Sequence, residues 1–136
     1  MKPIDLSQLK VHPLAERDSM AGIEETLINP ASTPAELSPA NRDHVTRCAA
    51  NIRAARENGA SIMYIYGAHL IKNGAHLLME KLMADGWITH LATNGAGVIH
   101  DWEWAFHGQS TECVRSNVAT GTFGTWEETG RYLHLA

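Results

Sequence analysis

One pattern, which occurs twice between residues 61 and 106, constrains the fold of this 136-residue chain more than any other feature. Each copy consists of a predicted strand, a bend of small residues and a stretch with helical spacing. The strands are Ser61–Tyr66, which is continuously apolar as in strands covered on both faces, and Trp87–Thr93. Strand, glycine-bearing bend and helix in succession predict parallel β-α winding, and therefore an α/β fold.

Five stretches, two of them the helical parts of the repeated pattern, have the spacing or the end signals of helices. The first begins with Ser38 as N-cap before Pro39 and ends at Asn58-Gly59. The other four follow the two bends or lie in the tail, at residues 70–82, 98–106, 111–118 and 125–135.

The first 38 residues differ from the rest of the chain. They contain four of the five prolines and no sustained periodicity, which predicts an extended arm with at most a short helix around Met20–Leu27. Residues 39–136 are then the folded domain. Because two parallel strands are too few for a stable sheet, we expect that the tail adds strands, that the chain needs a partner, or that it belongs to a longer polypeptide.

Charge and composition exclude several classes of protein. The net charge of −4 argues against a general binder of nucleic acids or of anionic membranes, since both need a basic surface. The uncharged stretch Asn58–Ile71 is too short to span a bilayer, and no apolar run follows Met1 as in a signal peptide. Cys48 and Cys113 form no disulfide framework, so a cytoplasmic location is expected.

The two bends are the first candidate for a functional site. In open α/β sheets, ligands bind beyond the carboxyl ends of the strands, where Gly67-Ala68-His69 and Thr93–Gly97 are expected. Both bends lead into helix N-termini, which favour phosphates and carboxylates. Neither bend fits the G-x-G-x-x-G pattern, and no P-loop sequence occurs. Glycine in such bends also has a purely steric explanation, so this alternative stays open.

A second candidate is the segment from His100 to His107. On a helix, His100, Glu103 and His107 share one face, and two histidines with a carboxylate are possible ligands of zinc or iron. Their spacing matches no standard metal motif, and we expect no metal. Asp101 and Glu103 also have a simpler role as charges near the helix N-terminus.

At the two bends the sequence resembles the deoxyhypusine synthase family, over about residues 40–125. The first nucleotide loop of that family has the sequence Ser-Asn-Leu-Ile-Ser-Ser-Gly. Residues 68–74 of this chain keep Leu70, Ile71 and Gly74 of that loop.

The family's second loop, Thr-Thr-Ala-Gly-Gly-Val-Glu-Glu-Asp, corresponds to residues 93–101. This chain departs from the family at the two adjacent glutamates, which are Ile99 and His100 here, and Glu103 lies one helical turn further on. The positions that it keeps are Thr93, Gly97, Val98 and Asp101. Further along the chain, the family has the same residues roughly at the positions of Gly108, Glu112, Asn117 and Gly121.

The resemblance implies a Rossmann-like, three-layer fold with a parallel sheet that is incomplete in this chain. It also implies an NAD-binding homo-oligomer that dehydrogenates an amine substrate and transfers its aminobutyl group. The bends and the resemblance together assign the cofactor to Ala68, His69, Leu70, Thr93, Asn94, Gly95, Ala96 and Gly97. They assign catalysis to His100 and Glu103, and binding of the cationic substrate to Asp101 and Glu103.

A second interpretation is a non-catalytic module that binds a nucleotide or assembles with a partner. The catalytic lysine of the family lies in a C-terminal half that this chain does not contain, and Lys72 and Lys81 belong to other segments. A third interpretation, a metal hydrolase that uses the histidines and Glu103, rests on the weaker metal pattern.

Overall fold

A computed structural model describes residues 5–136, apart from the side chain of Leu6, so residues 1–4 of the predicted arm lie outside it. The described part is a mixed α/β structure with seven α-helices and two two-stranded sheets. In chain order its strands and α-helices are β1 (Ser19–Gly22), α1 (Ile23–Thr26), α2 (Pro39–Glu57), β2 (Met63–Tyr66), α3 (Ala68–Lys72), α4 (His76–Ala84), β3 (His90–Thr93), α5 (Gly95–His107), β4 (Gln109–Glu112), α6 (Val114–Thr120) and α7 (Glu127–Leu135).

The chain divides into two compact units, which are described separately. The first combines the described residues up to Thr26 with Val98–Ala136, and the second is Leu27–Gly97. This division differs from the predicted boundary between an arm and a domain at residue 38. The N-terminal segment belongs to the first unit because β1 pairs with β4, close to the other end of the chain.

The 27–97 unit contains the predicted parallel pair of strands. β2 and β3 pair in register from Met63 opposite His90 to Tyr66 opposite Thr93. Both strands are shorter than the predicted runs. At the beginning of the pair, the Thr89 hydroxyl accepts a hydrogen bond from the Ile62 N–H at 2.8 Å.

α2 has the predicted ends. The Ser38 hydroxyl accepts a hydrogen bond from the Asn41 N–H at 3.3 Å, Pro39 occupies the first turn, and Gly59 has a φ of +66°. None of its residues is buried, and Val45 on its apolar side is 55% exposed. Its apolar side is partly covered, since Ala49, Ile52 and Ala55 are half-buried, and the cap residues determine where the helix begins and ends.

The stretch predicted as one helix over residues 70–82 forms two helices, α3 and α4. Gly74, with a φ of +83°, interrupts the helical backbone between them. The break places Ile71, Ala75 and Met79 in the small core of the unit.

One face of the β2–β3 sheet is uncovered. Met63 is 58% exposed and Ile65 is 73% exposed. On the opposite face Tyr64 and Tyr66 are half-buried, although Leu91 beside Tyr64 is 43% exposed. The expectation that the first strand is covered on both faces therefore does not hold for the face of Met63 and Ile65. The α/β class is confirmed.

In the first unit, β1 and β4 form an antiparallel pair from Ser19 opposite Glu112 to Gly22 opposite Gln109. The tail therefore adds a strand, as one of the three expectations has it, but β4 pairs with β1 and not with the parallel strands. Neither strand is predicted at its position, and part of β4 falls in the helix predicted at residues 111–118. Four-residue strands leave little periodic signal, and this pair forms between segments about ninety residues apart. The two predicted tail helices are present as α6 and α7.

The core of the first unit mixes apolar and polar side chains. Its buried apolar residues are Leu14, Trp104 and Trp126. Its buried polar residues are Arg17, Glu103, Ser110 and Thr129. Among the helices of the described chain, none combines the length and the apolar character needed to cross a bilayer.

Candidate functional site

The bends after β2 and β3 lie side by side at one edge of the parallel sheet. The strands end in register at Tyr66 and Thr93, so each bend begins at the same level. A Cβ placed on Gly67 would be 3.7 Å from the Asn94 Nδ2 atom, an ordinary van der Waals distance. The structure thus brings together the two segments that the sequence analysis assigned to a cofactor.

The second bend is the first turn of α5. The Asn94 carboxamide oxygen accepts a hydrogen bond from the Gly97 N–H at 2.9 Å and so caps the helix. The N–H groups of Gly95 and Ala96 belong to the same first turn, which has no acceptors within the helix. These groups and the positive end of the helix dipole suit an anion.

Gly95 and Gly97 occupy different surroundings. Gly97 is buried, and a Cβ there would collide with the Thr93 hydroxyl oxygen. The steric explanation of glycine therefore applies to Gly97. Gly95 is exposed, and a Cβ there would meet no atom of the described chain within 4 Å.

The remaining residues assigned to the cofactor surround these bends. Ala68 and Leu70 are half-buried in α3, whereas His69 is exposed beside them. Ala96 is exposed in the first turn of α5. The Thr93 hydroxyl donates a hydrogen bond to the Tyr66 carbonyl at 3.0 Å, so it joins the two strand ends.

The residues assigned to catalysis and substrate lie in the first unit, further along α5. Glu103 is 1% exposed and accepts four hydrogen bonds. Two come from the Arg17 guanidinium, at 2.7 and 2.8 Å, in a bidentate ion pair. The others come from the Ser110 hydroxyl at 2.7 Å and the Thr129 hydroxyl at 2.9 Å.

His100 is linked to Glu103 through Ser110. Its Nδ1 atom lies 2.7 Å from the Ser110 hydroxyl oxygen. Because the single proton of that hydroxyl is donated to Glu103, the His100 Nδ1 atom must carry the proton of its own bond. Ser110 is fully buried and donates to a carboxylate, an arrangement that does not suit a nucleophile.

The network also determines the charge state of Glu103. Burial alone would raise the pKa of its carboxyl group, but hydrogen bonds from Arg17, Ser110 and Thr129, together with the Arg17 charge, hold this pKa below the ordinary value. The carboxylate is therefore ionised and fully bonded at neutral pH. This geometry gives Glu103 a structural role that contact with a substrate amine would disrupt.

Three residues of the network were missed by the sequence analysis: Arg17, Ser110 and Thr129. Arg17 lies in the segment predicted as an arm, 86 positions before Glu103. A lone arginine in a proline-rich segment gives no signal of such a partner. Asp101, the other predicted substrate residue, is exposed on α5.

The metal pattern gains no support from the geometry. Within the described residues, no group of three or more His, Cys, Asp and Glu side chains lies close enough together to hold an ion. Glu103 of the suggested His100–Glu103–His107 set is engaged by Arg17.

We compared the chain with protein-family models, curated proteins and solved structures, and found no match in any of the three comparisons. The resemblance to deoxyhypusine synthases therefore rests on the short sequence matches within residues 68–74 and 93–101 and on the four downstream positions given above.

Proposed function

We propose that the 27–97 unit binds a nicotinamide dinucleotide at the bends after β2 and β3. The observation that carries the proposal is the register of the parallel pair, which ends at Tyr66 and Thr93 and so sets two small-residue bends side by side. Ligand sites of open α/β sheets occur at this edge. The similarity of the same two bends to deoxyhypusine synthase loops supports NAD as the ligand.

The residues at the bends suit the phosphates of such a cofactor. The N–H groups of Gly95 and Ala96 would hold a phosphate at the beginning of α5, where Gly95 leaves the backbone open. The exposed ring of His69 would lie against the ligand from the first bend. When bound, the nicotinamide would supply a hydride acceptor for oxidation of an amine carbon.

The second part of the proposal is that the protein acts on an amine, by dehydrogenation and transfer as in the family that it resembles. His100 supports this part as a half-buried imidazole with a fixed Nδ1 proton, and Asp101 as an exposed carboxylate. Glu103 supports it least, because Arg17, Ser110 and Thr129 occupy its oxygens.

That engagement of Glu103 favours a second candidate function. A module that binds the nucleotide without turnover would have no need of a substrate carboxylate, and Glu103 would serve only to hold the first unit together. Both candidates share the cofactor site at the two bends and differ in turnover.

A calorimetric titration of the whole chain with NAD⁺ tests the shared site. Gly95→Ala places a methyl group where the phosphate would approach, and we expect it to raise the Kd at least about tenfold. Gly130→Ala is the matched control, because Gly130 also lies in a helix with no atom within 4 Å of an added Cβ. Its affinity for NAD⁺ should equal that of the wild type.

Absence of binding at millimolar NAD⁺, or equal affinity of Gly95→Ala and wild type, would refute the cofactor site. Turnover is measured separately, by following NADH formation with NAD⁺ and a polyamine. Formation of NADH supports the enzyme, and binding without NADH supports the module without turnover.

A further inference from the structure

A groove of about 460 Å³ lies beside α7 in the first unit, and the extended segment around Val11 forms its other wall. Two backbone hydrogen bonds hold this segment against the beginning of α7. The His12 N–H donates to the Thr125 carbonyl, and the Glu127 N–H donates to the His12 carbonyl, both at 2.8 Å. The fold therefore fixes both walls, and the volume is within the range of small-molecule sites.

The apolar lining of the groove contains a donor that the fold leaves without a partner. Leu9 and Val11 are 58% and 49% exposed, so they offer apolar surface to a ligand. Trp126 also lines the groove and is only 8% exposed, yet its indole N–H has no acceptor among the described residues. A buried donor without an acceptor is costly, and a ligand oxygen would remove that cost.

Gly130 leaves the backbone of α7 open on the side of the groove. It is an exposed residue within the helix, where glycine stabilises less well than alanine. A Cβ at this position would meet no atom of the described chain within 4 Å, so packing does not require glycine here. The missing side chain enlarges the groove instead.

Both signs of charge line the groove beside this apolar surface. The Arg131 guanidinium and the Glu127 carboxylate are 3.8 Å apart, which exceeds hydrogen-bond distance, and both side chains are at least half exposed. The His134 Nδ1 atom lies 2.6 Å from the Gly130 carbonyl oxygen and must donate to it, so the Nε2 atom of the neutral ring is an acceptor. A cation and an anion of one small molecule would thus both find partners.

We propose that this groove binds a free α-amino acid with an apolar side chain. The side chain packs against Leu9 and Val11. The carboxylate accepts hydrogen bonds from the Arg131 guanidinium and the Trp126 indole, and the ammonium group donates to the Glu127 carboxylate. The groove lies in the first unit, so the inference does not rest on the cofactor site proposed at the bends of the other unit.

Titration of the isotope-labelled whole chain with L-leucine, followed by NMR, tests the inference. The readout is the indole N–H resonance of Trp126, one of four tryptophans, which is identified by its absence in Trp126→Phe. L-leucine should shift this resonance with a Kd of about 1 mM. Isocaproate lacks the ammonium group of leucine and isoamylamine lacks the carboxylate, so each should bind at least about tenfold more weakly.

Two variants test the walls of the groove. Gly130→Leu fills it with a strong helix former and should raise the Kd for L-leucine at least about tenfold. Arg131→Gln should do the same, because it removes the cation that holds the carboxylate. Arg115→Gln is the matched control, since Arg115 is an exposed arginine of α6 that does not line the groove, and it should bind L-leucine as wild type does.

An unshifted Trp126 resonance at about 50 mM L-leucine overturns the inference. Equal affinity for L-leucine, isocaproate and isoamylamine also overturns it, because recognition would then rest on apolar contact alone. The same holds if Gly130→Leu, folded by circular dichroism, binds as tightly as wild type, or if Arg131→Gln and Arg115→Gln lose affinity equally. If Gly130→Leu does not fold, unchanged affinity in Arg131→Gln overturns the inference.

Discussion

Glu103 carries a negative charge at a position that water does not reach. Hydrogen bonds from its partners offset the free-energy cost of burying that charge. The Arg17 guanidinium binds both carboxylate oxygens, and the Ser110 and Thr129 hydroxyls fill the remaining acceptor positions. The exposed pair of Glu127 and Arg131, 3.8 Å apart on α7, contributes at most about 0.5 kcal/mol by comparison. At the residue scale, the distinguishing feature of the first unit is the buried Glu103 carboxylate, whose acceptor positions are all hydrogen-bonded.

Glu103→Gln should lower the free energy of unfolding at pH 7 by about 3–5 kcal/mol, because it leaves the Arg17 charge buried without a counter-charge. The difference from wild type should shrink in acid. The pKa of Glu103 is lower in the folded chain than its ordinary 4.5, so its contribution is present above that value and is lost as the pH falls through the folded pKa. Urea unfolding at pH 7 and pH 3 measures both effects.

Glu127→Gln is the control for this experiment and should change the unfolding free energy by less than about 0.5 kcal/mol. The double variant Arg17→Met with Glu103→Leu should recover part of the loss, since it removes both charges together. If the free energies of unfolding of wild type and Glu103→Gln differ by the same amount at pH 3 as at pH 7, the assigned charge state of Glu103 is contradicted.

At the scale of elements, the sequence predicts best where local signals decide. The ends of α2 follow from Ser38, Pro39 and Gly59, whose effects need no distant residue. The break at Gly74 was missed because glycine is also tolerated within helices, and only the left-handed backbone there shows the interruption. β1 and β4 were missed because their pairing joins segments far apart in the chain.

The same distinction applies to the candidate site. Strand order and bend position were predictable, since parallel strands place their carboxyl ends at one edge. The engagement of Glu103 was not predictable, because it depends on Arg17, Ser110 and Thr129 from three other segments.

Ser38→Ala should destabilise α2 by about 1 kcal/mol, because it removes the hydroxyl that accepts a hydrogen bond from the Asn41 N–H. Ser38→Asp is the matched control and should retain most of the stability, since a carboxylate caps a helix about as well. The unfolding midpoint in urea, followed by circular dichroism, gives both values. An equal loss in both variants would show that the cap does not stabilise the helix.

At the scale of the whole molecule, the exposed apolar surface of the β2–β3 sheet is a more unusual feature than the net charge of −4. Single exposed apolar residues are ordinary in folded proteins, but exposed neighbours on the interior of a strand are not. Met63, at the beginning of β2, and Ile65, within it, are 58% and 73% exposed on one face of the strand.

The pairing of β1 with β4 has a consequence for the order of events during synthesis. The 27–97 unit is continuous in sequence and has all its residues once Gly97 has left the ribosome. The other unit is discontinuous, so Ser19–Gly22 must wait for Gln109–Glu112 before its strand can pair. The segment made first is thus among the last to reach its final partner, and Arg17 meets Glu103 only when nearly the whole chain exists.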